Sequence, residues 1–127
     1  MSRTLPRPLL FTTLFVSVVV LTAASQGAKF PGGFFKGSDG NSTIGLDFDS
    51  TGAINVSVDG QAFSTSSWES KADTLVIGPV NGPEGYSCAS SAKYLWSIAD
   101  NRLTFTLVTD DCQSRVQPLT GLIWTKG

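Results

Sequence analysis

Asp47-Phe48-Asp49-Ser50-Thr51-Gly52-Ala53-Ile54 begins like a calcium loop, in which alternate carboxylates offer hard oxygen ligands to a divalent cation. The pattern fails at its twelfth position, where Val58 stands in place of a bidentate Glu. A turn between two alternating strands, with Gly52 at positive φ, accounts for every residue instead. Ser90-Ser91-Ala92-Lys93 has the S-x-x-K spacing of penicillin-recognising serine enzymes, whose motif works with S-D-N and K-T-G partners. Neither partner occurs, Thr125-Lys126-Gly127 has the wrong order, and the tetrapeptide reads as strand. Paired carboxylates can hydrolyse glycosides. Here Asp110-Asp111, beside Cys112, reads as turn-capping, while Asp47 and Asp49 alternate away from Ile44, Leu46 and Phe48 towards solvent. The sequence has no histidine, which removes His-dependent triads and His-ligated metals. No nucleophile–base pair is visible, so neither catalysis, nor a cofactor, nor a metal is expected.

Two cysteines, Cys88 and Cys112, form an even pair that reads as one disulfide in an oxidising compartment. Closing the segment between them stabilises a fold by about 3–4 kcal/mol on the chain-entropy account. Arg115 follows, and is expected to close one end of the fold by stacking on Trp124, Trp96 or Trp68. Arg115 and Trp124 are thus structural candidates. Asn41-Ser42-Thr43 and Asn55-Val56-Ser57 are glycosylation acceptors only in a eukaryotic source.

These residues are positioned by short alternating segments separated by turn residues, the pattern of an all-β sandwich or barrel. The expected strands are Phe34–Lys36, Thr43–Asp49, Ala53–Val58, Ala62–Trp68, Asp73–Gly78, Ser91–Ile98, Arg102–Val108 and Leu122–Thr125. Asp59-Gly60 and Asp100-Asn101 are hairpin signals. A two-residue loop at Asp100-Asn101 pairs Ile98 with Leu103, Trp96 with Phe105 and Tyr94 with Leu107, all on one face. A three-residue loop would split that apolar set. The preferred register also brings Cys88 and Cys112 to one end of the sheet. Pro31, Pro79, Pro83 and Pro118 all fall outside strand interiors. No helix is expected after residue 25. About eight strands in nearest-neighbour order favour an antiparallel up-and-down barrel, with a Greek-key sandwich as the runner-up.

The carboxy-terminal half resembles a small lipocalin-like, calycin-type domain of exported, mostly bacterial proteins. Tyr94-Leu95-Trp96-Ser97, Leu103-Thr104-Phe105-Thr106, Asp110-Asp111-Cys112, Arg115, Leu119-Thr120 and Trp124-Thr125 carry the resemblance. More loosely, it extends back to Gly33. It implies an eight-stranded barrel with an internal pocket for an apolar ligand, and it transfers no catalytic residue. The chain departs from typical lipocalins in having Gly33-Phe34-Phe35 where they carry Gly-x-Trp. It is also shorter, and nothing after Trp124 can form their outer helix. An eight-stranded barrel is either filled by its own side chains or holds one small ligand. Tyr94, Trp96, Leu103, Phe105, Phe48 and Phe63 are the candidate ligand-binding residues.

Residues 1–25 read as a signal peptide, leaving 26–127 as one domain. Arg3 and Arg7 precede an apolar run, Leu9–Leu21, which is shorter than the ~20 residues of a membrane span. The small residues Thr22-Ala23-Ala24-Ser25 then offer a cleavage site after Ala24 or Ser25. A secreted or periplasmic protein without a membrane span after cleavage is expected. Charged residues make up only 15% of the 127-residue chain and the net charge is −1, so a nucleic-acid footprint is absent. The expected function is non-enzymatic binding of a small hydrophobic ligand in the barrel. The alternative is a protein-binding module, such as an inhibitor of an extracellular enzyme, acting through the Gln26–Gly33 segment and the Asn81–Gly85 loop.

Overall fold

A computed structural model describes residues 29–127. The expected signal peptide lies outside the described residues. The elements run β1 (Gly33–Ser38), β2 (Thr43–Phe48), β3 (Ala53–Val58), β4 (Gln61–Lys71), β5 (Thr74–Ile77), β6 (Ala92–Ala99), β7 (Arg102–Thr109), α1 (Gln113–Gly121) and β8 (Trp124–Lys126). Every strand pairs antiparallel with its sequence neighbours, and β8 returns to β1 to close the barrel. The expected up-and-down barrel is therefore the architecture, and it is consistent with a calycin-like barrel. Closure removes the exposed edges that an open sheet of these strands would carry.

Local chemistry sets the hairpins. Asp100 and Asn101 take φ of 54° and 63°, and Asp59 and Gly60 take 52° and 83°. Positive φ at both central residues gives a turn whose twist matches that of the flanking strands. The β6–β7 register then pairs Ile98 with Leu103, Trp96 with Phe105 and Tyr94 with Leu107, as expected. Tyr94, Leu103 and Phe105 are buried, whereas Ile98 and Leu107, at the two ends of this face, are exposed.

Two features depart from simple alternation. The β3–β4 register shifts between Val56 and Ser57, so that Phe63 is an extra residue between Ser64 and Ala62. In addition, β5 is short, and the chain after it continues along β4 through an isolated Thr65–Asn81 bridge. A second bridge, Val80–Cys88, folds this 78–91 loop onto itself. Cys88 and Cys112 are joined, with Cα atoms 5.9 Å apart, as the pairing argument required.

The expectation of no helix is corrected by α1, which begins directly after Cys112. Its sequence signal is weak because it spans 9 residues, contains Pro118 and lacks a side-chain cap at Cys112. Such a segment is marginal alone and is held by tertiary contact. Arg115 and Leu119, one turn apart, are its buried residues, and the disulfide anchors its start.

Candidate functional site

The two ends of the barrel differ. One end gathers the β2–β3, β4–β5 and β6–β7 turns together with residues 29–32, and aromatic rings fill it. The Gln26–Gly33 segment, offered above as a partner-binding one, is not free along its described residues, because Phe30 is buried. Its ring lies 4.8 Å from Phe48, 5.3 Å from Trp96 and 5.6 Å from Trp68, edge-on in each case. Gly32, at φ 73°, turns the chain so that Phe30 folds back into the barrel. A Cβ at Gly32 would stand 3.0 Å from the Phe48 carbonyl oxygen and 3.2 Å from the Trp68 ring. The Phe30 N–H also donates to Ser70 Oγ at 2.9 Å. Phe35 and Phe105 extend this cluster inward.

The other end is not filled. A cavity of about 600 Å³ lies between β2, β3, β4, the 78–91 loop and α1, within the range of small-molecule sites. Ile44 and Leu46 of β2 and Ile54, Val56 and Val58 of β3 form an apolar wall. Beside them in the sheet, β4 presents Ser66 next to Ile54 and Ser64 next to Val56. These small side chains at inward positions leave the space open. Ser66 donates its hydroxyl to the Gly78 carbonyl at 2.9 Å, which ties the 78–91 loop to the wall. Phe63, displaced by the bulge, meets Tyr86 edge-on with ring centroids 5.1 Å apart, and both line the cavity. Tyr86 is 52% exposed, which places it at the mouth.

The structure divides the expected ligand residues between these two halves. Phe48 and Phe63 line the cavity. Tyr94, Trp96, Leu103 and Phe105 instead belong to the filled interior. Trp124 is fully buried, donates its indole N–H to the Leu119 carbonyl at 3.3 Å and contributes to the cavity wall. It presses on β1 where a Cβ on Gly37 would come within 2.9 Å of the ring. The β2–β3 wall was visible in the sequence as alternation. The helical contribution from Gln113, Gln117 and Leu119 was not, because α1 itself had no clear signal.

Arg115 takes a different role from the stacking expected of it. It is buried beneath α1, with Nε 2.7 Å and Nη2 2.8 Å from the two carboxylate oxygens of Asp110. Nη1 donates to the Gly78 carbonyl and Nη2 to that of Ser90, both at 3.0 Å. Asp110 also accepts from the Tyr94 hydroxyl and, at 2.9 Å, from the Cys112 N–H. Asp110 therefore caps the turn into α1 while also neutralising a buried cation. Burial alone would raise its carboxyl pKa, but hydrogen bonds from Arg115, Tyr94 and Cys112 together hold it below the ordinary 3.8. Tyr94 is pushed up, first by burial and then by its bond to Asp110. The bidentate fork is the strong geometry for an arginine–carboxylate pair. It joins β6, the 78–91 loop and α1 at one point.

No family model, curated protein or solved structure matches the chain. The remaining chemical candidates are absorbed locally. Asp49 Oδ1 accepts from the N–H groups of Thr51 and Ala53 and from the Thr51 hydroxyl, closing the β2–β3 turn. Gly52 there takes φ 93°, as the turn reading required. Ser90 donates to Asp111, and Lys93 is exposed on the outer face of β6. Among the described residues, no group of three or more Cys, Asp or Glu side chains is placed to hold a metal ion. No helix among them is long and apolar enough to cross a membrane.

Proposed function

We propose that this chain is an exported, non-enzymatic, lipocalin-like barrel that binds a small hydrophobic molecule at one end. The observation that carries this reading is the cavity of about 600 Å³ left open beside a fully packed aromatic end. A barrel needing only stability would fill both halves, since empty apolar volume costs about 24 cal/mol per Å³ when created by truncation. Serines at inward positions of β4, next to a wall of Ile, Leu and Val, instead leave a shaped, mainly apolar site with a few polar groups. Export is supported by the basic and apolar start of the sequence and by the disulfide.

Titration with a neutral apolar dye tests the reading. Saturable binding with a change in tryptophan emission is expected, because Trp124 is on the cavity wall. Val56→Phe, which fills the cavity from β3, is expected to abolish binding while the protein still melts cooperatively. Dye binding that survives Val56→Phe would overturn the assignment.

A further inference from the structure

At the open end of the barrel, read as a ligand site, the connections between strands carry exposed charge of one sign. The four connections around its mouth carry the exposed carboxylates Asp39, Asp59, Glu84 and Asp111. Asp39 lines the cavity itself and accepts the N–H groups of Asn41 and Ser42, each at 2.8 Å. Those bonds, Ser42 first, hold its carboxyl below the ordinary range, so it is charged at neutral pH. Asp59 accepts the Thr43 N–H at 2.9 Å, which fixes its carboxylate between the β1–β2 and β3–β4 turns.

Arg115 is the only base in these four connections, all of which lie within the described residues. Its charge is met by both oxygens of Asp110, and two carbonyls take further donors. Lys93, the cation just inside β6, is exposed on the outer face. Arg115 is itself on the cavity wall, and apart from it and Asp39 the polar groups there are neutral, chiefly the hydroxyls of Ser42 and Ser64 and the amides of Gln113 and Gln117.

A cleft with apolar walls and a mouth of one charge sign focuses that field along its axis. We infer that the cavity admits neutral or cationic apolar molecules, of the class of long-chain alcohols and protonated alkyl amines, and discriminates against fatty-acid carboxylates. The inference rests on the cavity being a ligand site. It adds the charge class of the ligand, which neither the apolar wall nor the volume specifies.

Displacement of a neutral apolar dye by decanol, protonated decylamine and decanoate at neutral pH, below their micelle concentrations, separates the outcomes. Decanol and decylamine are expected to displace the dye, with decanoate at least about tenfold weaker at low ionic strength. High salt should narrow the gap. So should Asp59→Asn combined with Glu84→Gln, which removes two charges while Asn still suits the positive φ of 52° at position 59. Equal displacement by all three would leave the cavity a ligand site and overturn the charge selection. Preferred binding of decanoate would also overturn it and would place the anion at Arg115. If neither the dye nor any of the three binds, the ligand-site reading fails and the selection fails with it.

Discussion

Asp110 illustrates how one side chain can hold several elements together. Its carboxylate is fully buried beside an Arg115 side chain that is 5% exposed, so neither charge is shared with bulk water. Removing one partner of such a pair strands the other and typically costs about 3–5 kcal/mol. Asp110→Ala is therefore expected to lower the urea midpoint strongly at neutral pH. The linkage sign follows from the lowered carboxyl pKa. Stability from Asp110 is present above its unfolded pKa and is lost as pH falls through the folded value. For Tyr94 the pKa is raised from 10.0, so its contribution is present below that value and is lost as pH rises beyond it. Urea midpoints measured across acid and alkaline pH should show both losses. Asp110→Asn should flatten the acid limb and Tyr94→Phe the alkaline limb. Asp110, Arg115 and Tyr94 were all conspicuous as residue types, but their association was not legible. They come from α1, β6 and the turn between β7 and α1, and only the closed barrel brings those together.

Strands and turns obeyed local rules more closely than the helix did. The β6–β7 hairpin follows directly from Asp100-Asn101 and the alternation on either side. The β4–β5 turn is an exception, with Ala72 at φ 57°. A Cβ is unfavourable in that region by about 1–2 kcal/mol, a cost that glycine avoids. Ala72→Gly is expected to raise stability by about 0.5–1 kcal/mol, read as a shift in thermal midpoint, since Ala72 is exposed. The helix α1 and the 78–91 loop depend on the Cys88–Cys112 bond, which joins them across 24 residues of chain. Replacing both cysteines by alanine should cost about 3 kcal/mol. Amide exchange should then accelerate first in α1 and around Val80–Cys88, while β2 and β3 stay protected. Uniform acceleration throughout the barrel would count against this local role.

The interior of the barrel is divided between a packed aromatic end and an open cavity. Phe30 is the keystone of the closed end, in edge-on contact with three other rings. Phe30→Ala should cost about 3 kcal/mol or more in urea unfolding, and it reaches the cavity only through Phe48, which its ring touches and which lines the wall. Dye affinity per folded molecule should then fall far less than with Val56→Phe. Period-two alternation, turn residues and a cysteine pair were enough to specify an all-β fold with its central register and its disulfide and to favour a barrel over a sandwich, because these depend on contacts between neighbouring strands. They also yielded the apolar face of β6 and β7. Whether that face lined a pocket or a filled core depended on side chains from elsewhere in the chain. Phe30 enters from before β1 and occupies the space beside Trp96, while Ser64 and Ser66 on β4 leave volume at the opposite end. The bulge at Phe63 and the helix over Arg115 likewise answer to closure of the barrel, since neither is favoured by its own few residues. Strand pairing is a local property of adjacent segments, and filled or empty volume is a sum over all the walls at once.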